Sequence, residues 1–268
     1  MVIYVEHHIM IIKEMRTNKM TMNQTIEIMK QLKLSAMAKA FENQANNPQV
    51  FSELSFEERL SLLMEAESLS RKNNLLQRLI RQANFNQSCA AIENIQYLEE
   101  RKLNREFLIK LATNQYVKHT QNIILVGASG AGKTYISCAL GMSACRSYIK
   151  TKYMRLPDLL VELQLAREHG TFKKVIEQYK KITLLILDEW LLIQLKETEA
   201  RDILEIIEAR HNRASTIFCS QFDVGGWHEK IGESTLADAI LDRIVHNSHK
   251  IIIDSKESMR KLQNDTLK

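Results

Sequence analysis

Proline, glycine and cysteine are scarce in this sequence. Only 2 Pro and 8 Gly occur, which argues against long structureless linkers and favours a chain rich in helix. The 4 Cys form no Cys-x-x-Cys pair and lie in apolar contexts, so we expect reduced thiols in a core. His246 and His249 have ligand-like spacing, but no thiolate or further histidine joins them, and a metal site of this kind is not expected.

Long hydrophobic runs are also missing. No stretch of 18 apolar residues occurs, so we expect no membrane-spanning segment. The first 19 residues carry no recognisable signal peptide and are poorly patterned, and Met20 or Met22 is a candidate start. We therefore expect a cytoplasmic protein.

The bulk composition is that of an ordinary globular protein, with 45% hydrophobic and 26% charged residues. A length of 268 residues allows one large domain or two modest ones. The net charge of +5 permits contact with nucleic acid or another anionic surface without establishing it.

The hydrophobic pattern divides the chain into two parts. Helical spacing dominates from about Thr21 to Leu111, and Ser55 with Glu58 forms a capping box before a long helix. After Asn122, short apolar runs alternate with helical segments, which predicts an α/β fold with a parallel sheet sandwiched by helices. The predicted strands are 123–126, 152–155, 184–188, 215–220 and 250–253. We predict an extension at 1–19, a helical domain at 20–105 and the α/β domain at 106–268.

A phosphate-binding loop follows the first predicted strand. The segment matches the pattern of Gly, four residues, then Gly-Lys-Thr, and it opens a helix, which is the context that supports such a match. Glycines allow the backbone amides to face phosphate oxygens, Lys133 supplies a positive charge, and the Thr134 hydroxyl suits Mg²⁺. The predicted ATP-binding residues are Gly127, Ala128, Ser129, Gly130, Ala131, Gly132, Lys133 and Thr134.

Two carboxylates end the predicted strand 184–188. Because ligands of open parallel sheets bind at the carboxyl ends of strands, we expect Asp188 to hold Mg²⁺ and Glu189 to orient the attacking water. The next strand ends in Ser220 and Gln221, either of which could sense the terminal phosphate. Polar strand ends are common, so this assignment depends mainly on chain order.

Arg243 lies on a predicted helix beside apolar residues. A helical arginine usually pairs with a nearby carboxylate, and Asp238 or Asp242 could serve. The alternative is an arginine that acts at the nucleotide of a neighbouring subunit. Spacing alone favours the ion pair.

The chain resembles the IstB-like ATP-binding proteins, the helper ATPases of bacterial insertion sequences in the AAA+ group, which also contains the DnaC helicase loaders and DnaA initiators. The resemblance covers about residues 22–261. Besides the two nucleotide motifs it includes 31–34 (QLKL) with Met37-Ala38, 57–60 (EERL) with Leu63, 227–232 (WHEKIG), 236–243 (LADAILDR), 245–247 (VHN) and 257–261 (ESMRK).

This resemblance implies a DNA-transposition helper. Such proteins couple ATP binding to self-assembly on target DNA and then recruit and activate a transposase, here one like IstA. It also implies that Arg243 is an arginine finger. The lid domain found in many AAA+ proteins is not expected here, because too little chain remains after Ile253. The family usually has glycine where this chain has Leu191, and often aspartate at the position of Glu189.

Two other functions are considered beside the transposition helper. A replicative helicase loader of the DnaC type would share the ATPase core, and a non-catalytic scaffold would bind nucleotide without turnover. We expect sequence-independent contact with duplex DNA through helical arginines, although charged helix faces are more often only solvated. The candidates are Arg71, Arg78, Arg81, Arg101 and Arg105.

Overall fold

The computed structural model describes residues 21–254 together with Met259. The chain divides into two compact units, Met1–Leu75 and Leu76–Lys268, so the division lies earlier than the predicted boundary between residues 105 and 106. The predicted extension at 1–19 lies outside the described residues. So does nearly all of the chain after residue 254, where the absence of a lid was predicted.

The described part of the first unit is helical. It contains α1 (Met22–Gln31), α2 (Ser35–Asn46) and the beginning of α3 (Phe56–Ala83). The capping box before α3 is confirmed, because the Glu58 amide donates to Ser55 Oγ at 3.2 Å and the Ser55 amide donates to Glu58 Oε2 at 2.7 Å. Glu67 of α3 accepts the amides of Ala36 and Met37, so its charge satisfies free donors at the start of α2.

The second unit alternates strands and helices. Its helices are α4 (Arg105–Ala112), α5 (Gln115–Lys118), α6 (Lys133–Arg146), α7 (Leu156–Glu168), α8 (Phe172–Lys180), α9 (Glu197–Arg210), α10 (Trp227–Ile231) and α11 (Ser234–Val245). Its strands are β1 (Asn122–Gly127), β2 (Thr151–Arg155), β3 (Leu184–Trp190), β4 (Ser215–Ser220) and β5 (Ser248–Ile253). The predicted strands agree closely with these, whereas α5, α8 and α10 were not predicted.

The five strands form one parallel sheet in the order β2-β3-β4-β1-β5. This confirms the predicted α/β fold class. Alternate side chains of each strand enter opposite cores, as in β1, where Ile123 and Leu125 face one core and Ile124 and Val126 the other. Helices α4 to α6 cover the first core, and α7 to α11 cover the second.

Three of the four cysteines fulfil the prediction of buried thiols: Cys138, Cys145 and Cys219 are buried and free. The prediction is wrong for Cys89, which is exposed because it lies in an irregular surface segment between α3 and α4. In the part of the chain that the structure describes, no group of three or more His, Cys, Asp or Glu residues is arranged to hold a metal ion, and no helix is long and apolar enough to cross a membrane.

Candidate nucleotide-binding site

The phosphate loop connects the end of β1 to the start of α6. Gly127 has no room for a side chain, because a Cβ there would lie 2.7 Å from the carbonyl oxygen of Ile253. Gly132 precedes α6 with φ +92°, a left-handed conformation that favours glycine. No side chain caps the start of α6 and no acidic residue lies in its first turn, so its free amides face the loop as an anion-binding group.

Lys133 folds back onto this loop. Its Nζ donates to the carbonyl oxygens of Gly127 at 2.7 Å and Ala128 at 2.8 Å. The side chain is buried, and this burial lowers the pKa of Lys133. A buried ammonium must be hydrogen-bonded, and here the loop's own carbonyls supply the acceptors.

Asp188 joins three elements at the carboxyl edge of the sheet. Its Oδ2 accepts hydrogen bonds from Thr134 Oγ1 at 2.7 Å and from Tyr153 OH at 2.8 Å. Burial first, and then the charge of Asp188, raises the pKa of Tyr153, so the phenol remains a donor. A hydroxyl and a carboxylate in direct contact beside a phosphate loop provide the hard oxygen ligands that suit Mg²⁺.

Glu189 lies in a distorted part of β3. The pairing of β3 with β4 shifts register between Leu187 and Trp190, and Glu189 has φ +54°. Such bulges re-aim side chains, and here the Glu189 side chain reaches the cavity, where its Oε2 lies 2.6 Å from a guanidinium nitrogen of Arg155. Hydrogen bonding and the charge of Glu189 raise the pKa of Arg155.

Tyr153 and Arg155 were not predicted from the sequence as site residues. Both lie on β2, and the register places Arg155 directly beside Asp188. The available signal was a strand whose end is polar, but the order of strands was needed to place it next to β3.

These groups line one cavity of about 330 Å³. Its wall combines the phosphate loop, the ends of β2 and β3, and a segment before β1 that was not predicted to belong to the site. The lining residues from that segment are Asn86, Gln87, Asn94, Ile95, Gln96 and Arg101. Met259 also lines the cavity, and its amide donates to the Gly130 carbonyl at 3.0 Å. It is the one described residue of the stretch 257–261.

Ser220 is placed differently from the other predicted site residues. Its hydroxyl donates to the Trp190 carbonyl at 3.0 Å and accepts from the Phe222 amide and the Trp227 indole. Ser220 is fully buried, Gln221 is exposed, and neither lines the cavity. The bonds of Ser220 fasten the end of β4 to β3 and α10, and this geometry gives no support to its role as a phosphate sensor.

Arg243 lies at the other end of the sheet. The helix that carries it ends beside Asn122, the first residue of β1, whereas the phosphate loop follows the last. A strand of this length separates the two by roughly 20 Å. The expected pairing with Asp238 or Asp242 is wrong: Arg243 pairs with Glu208 of α9, since those aspartates face His228 and His246. Arg243 therefore does not reach the cavity of its own chain.

Of the candidate DNA-contacting arginines, Arg101 is buried and cannot meet a duplex. Arg71 is bonded to Glu67 within the first unit. Arg78, Arg81 and Arg105 are exposed.

The family model and the sequence relatives agree on one family. The family model described as "IstB-like ATP binding protein" matches residues 27–266. A putative insertion sequence ATP-binding protein of Sinorhizobium fredii is 40% identical over 89% of this chain and 96% of its own length. Among solved structures, AMPPCP-bound DnaA from Aquifex aeolicus gives a TM-score of 0.53 at 21% identity, over 66% of this chain and 54% of its own. The DnaC helicase loader gives 0.53 at 19%, over 61% and 96%. The two structures show an AAA+ P-loop fold.

The turn after Glu189 has an unusual residue at Leu191. Its side chain is fully buried, yet its backbone has φ +53°, a conformation that costs an L-residue about 1–2 kcal/mol. A glycine at this position would avoid this strain but would leave the core unfilled. Burial of the leucine thus offsets the strain of the turn.

We predict that the free energy of unfolding of Leu191→Gly exceeds that of Leu191→Ala by about 1 kcal/mol. Both variants lose the buried side chain, and only alanine keeps the backbone strain. Urea denaturation measures both values. The matched control is Leu163, which is equally buried but lies within α7, where the alanine variant should be the more stable. Equal stability of the two Leu191 variants would show that the turn relaxes without strain.

Proposed function

Because the chain belongs to the family of IstB-like ATP binding proteins, we propose that it is a Mg²⁺-dependent ATPase of DNA transposition. It acts in the cytoplasm, assembles on duplex DNA without sequence preference, and recruits a partner transposase of the IstA type. The observation that carries this proposal is the direct contact of Thr134 with Asp188, beside Lys133 and Glu189 in one cavity.

The chemistry follows from what each residue touches. The free amides of the loop and of α6 bind the phosphates, and Lys133 exchanges its bonds to the Gly127 and Ala128 carbonyls for bonds to phosphate oxygens. Thr134 and Asp188 would hold Mg²⁺, which neutralises charge on the phosphates when bound. Glu189 positions the attacking water, and its bond to Arg155 fixes the carboxylate until that water is in place.

Two alternatives carry less support. A helicase loader of the DnaC type shares the fold at 19% identity, whereas a relative that is 40% identical over 89% of this chain is named for an insertion sequence. A scaffold without turnover would not need Glu189, whose side chain nevertheless lines the cavity. We therefore favour an ATPase that serves transposition.

Assembly is part of the proposal because Arg243 lies far from the cavity of its own chain. In a head-to-tail assembly of copies, the exposed edge that carries Arg243 and Glu208 would face the cavity of the next copy. Arg243 would then leave Glu208 and stabilise charge at the neighbour's terminal phosphate. Exposed arginines such as Arg78, Arg81 and Arg105 are candidates for the duplex contact.

We predict that mixing two inactive variants restores turnover. Lys133→Ala removes the loop's charge and Arg243→Ala the trans-acting arginine, so each alone should lower DNA-stimulated ATP hydrolysis by about 100-fold or more. In a mixture, the intact loop of one chain meets the intact arginine of the other. We expect an equimolar mixture on duplex DNA to recover a clearly measurable fraction of the intact rate.

The control is a chain that carries both substitutions. Mixed with either single variant, it should restore much less ATP hydrolysis than the two single variants restore together. Full activity of Arg243→Ala alone would contradict a role in turnover. An inactive mixture of two variants that still bind DNA together would contradict action between subunits.

We also predict that Tyr153→Phe weakens Mg²⁺ binding. The substitution removes the hydroxyl that donates to Asp188 and keeps the ring, and loss of a bond to a metal-binding carboxylate costs on the order of tenfold in metal affinity. Titration of Mg²⁺ against a fluorescent ATP analogue measures this shift. Tyr179→Phe, which loses a bond to Glu162 outside the cavity, is the matched control. An unchanged titration would mean that Tyr153 does not position Asp188.

A further inference from the structure

Arg101 is a buried arginine without a counter-charge. It ends a short 3-10 helix, Glu99–Arg101, and is only 2% exposed. Within residues 21–254 and Met259 it forms no ion pair, and its Nε has no hydrogen-bond partner. Burial accordingly lowers the pKa of Arg101. A buried cation of this kind is costly unless something compensates it.

The contacts of Arg101 are with the backbone of the nucleotide cavity. One terminal nitrogen donates to the Ala131 carbonyl in the middle of the phosphate loop at 2.8 Å. The other donates to the carbonyl of Gln96, in the segment before β1 that also lines the cavity. One side chain thus joins the loop to the segment before β1.

The phosphate loop has a shape that admits this guanidinium. A Cβ placed on Gly132 would lie 2.7 Å from the nearer Arg101 nitrogen, so the missing side chain leaves room for this guanidinium, and the φ of +92° independently favours glycine. Arg101 itself lines the cavity beside Gly130, Gly132 and Lys133. Its charge is therefore directed at the loop that receives the phosphates.

We propose that Arg101 is a positioning residue for polyphosphate binding. It holds the Ala131 carbonyl so that the loop amides face the ligand, and its buried charge is compensated when a polyphosphate anion occupies the loop. This inference rests on the proposed nucleotide binding. Arg101 was a candidate for DNA contact on sequence alone, and this inference places its role inside the nucleotide cavity instead.

The test measures which part of the nucleotide depends on Arg101. Arg101→Lys and Arg101→Met are compared with the intact full-length chain, and Arg201→Met, an exposed arginine of α9 that pairs with Glu197, is the control. Without Mg²⁺ or DNA, ADP, pyrophosphate and adenosine compete with a fluorescent ADP. We expect ADP and pyrophosphate to bind about tenfold more weakly to Arg101→Lys, with adenosine unchanged. Arg101→Met should lose at least as much.

Melting temperatures of the ligand-free variants separate a folding defect from a binding defect. If Arg101→Met does not fold, Arg101→Lys alone decides, because it keeps the charge and loses the two-carbonyl bridge. Unchanged affinity for ADP and pyrophosphate in a folded Arg101 variant would overturn the proposal. An equal loss for adenosine would also overturn it, since Arg101 would then only shape the cavity. An intact chain that binds no ADP would instead contradict the proposed function.

Discussion

The geometry of the site depends on the hydrogen bonds that the Asp188 carboxylate accepts. This carboxylate accepts hydrogen bonds from Thr134 at the start of α6 and from Tyr153 on β2, and so joins the ends of three elements that are far apart in sequence. Parallel strands bring their carboxyl ends to the same edge, and this one acceptor fixes the phosphate loop against β3. The bulge beside it directs Glu189 towards the same cavity.

The charged groups around this contact are mostly satisfied within the chain. Lys133 is bonded to loop carbonyls, Glu189 to Arg155, and Arg243 to Glu208. Under the proposed function, each of these contacts would be exchanged for another when the residue acts on nucleotide, and until then the intramolecular partners compensate the charges. Arg101 differs, because no carboxylate in the described residues compensates it.

The family match confirms the resemblance to the IstB-like proteins that the sequence motifs indicated. The parallel sheet and the strand before the phosphate loop were also predicted correctly from the sequence. These are local patterns: short apolar runs, glycine spacing and acidic strand ends. Strand order is not local, and for that reason Tyr153 and Arg155 were missed although their strand was predicted. The direction of a side chain is equally non-local. Ser220 donates to the Trp190 carbonyl, and Arg243 pairs with Glu208 rather than with the aspartates of its own helix.

Hydrolysis at this cavity is tested most directly by a single-turnover measurement, which follows the conversion of bound ATP to ADP. The intact chain and Glu189→Gln are loaded with ATP and Mg²⁺ on duplex DNA, and bound ATP and ADP are followed over time. We expect both chains to bind ATP with equal affinity, and only the intact chain to convert it to ADP. Bound ATP that persists unchanged in the intact chain would contradict hydrolysis at this cavity and would favour a scaffold gated by nucleotide.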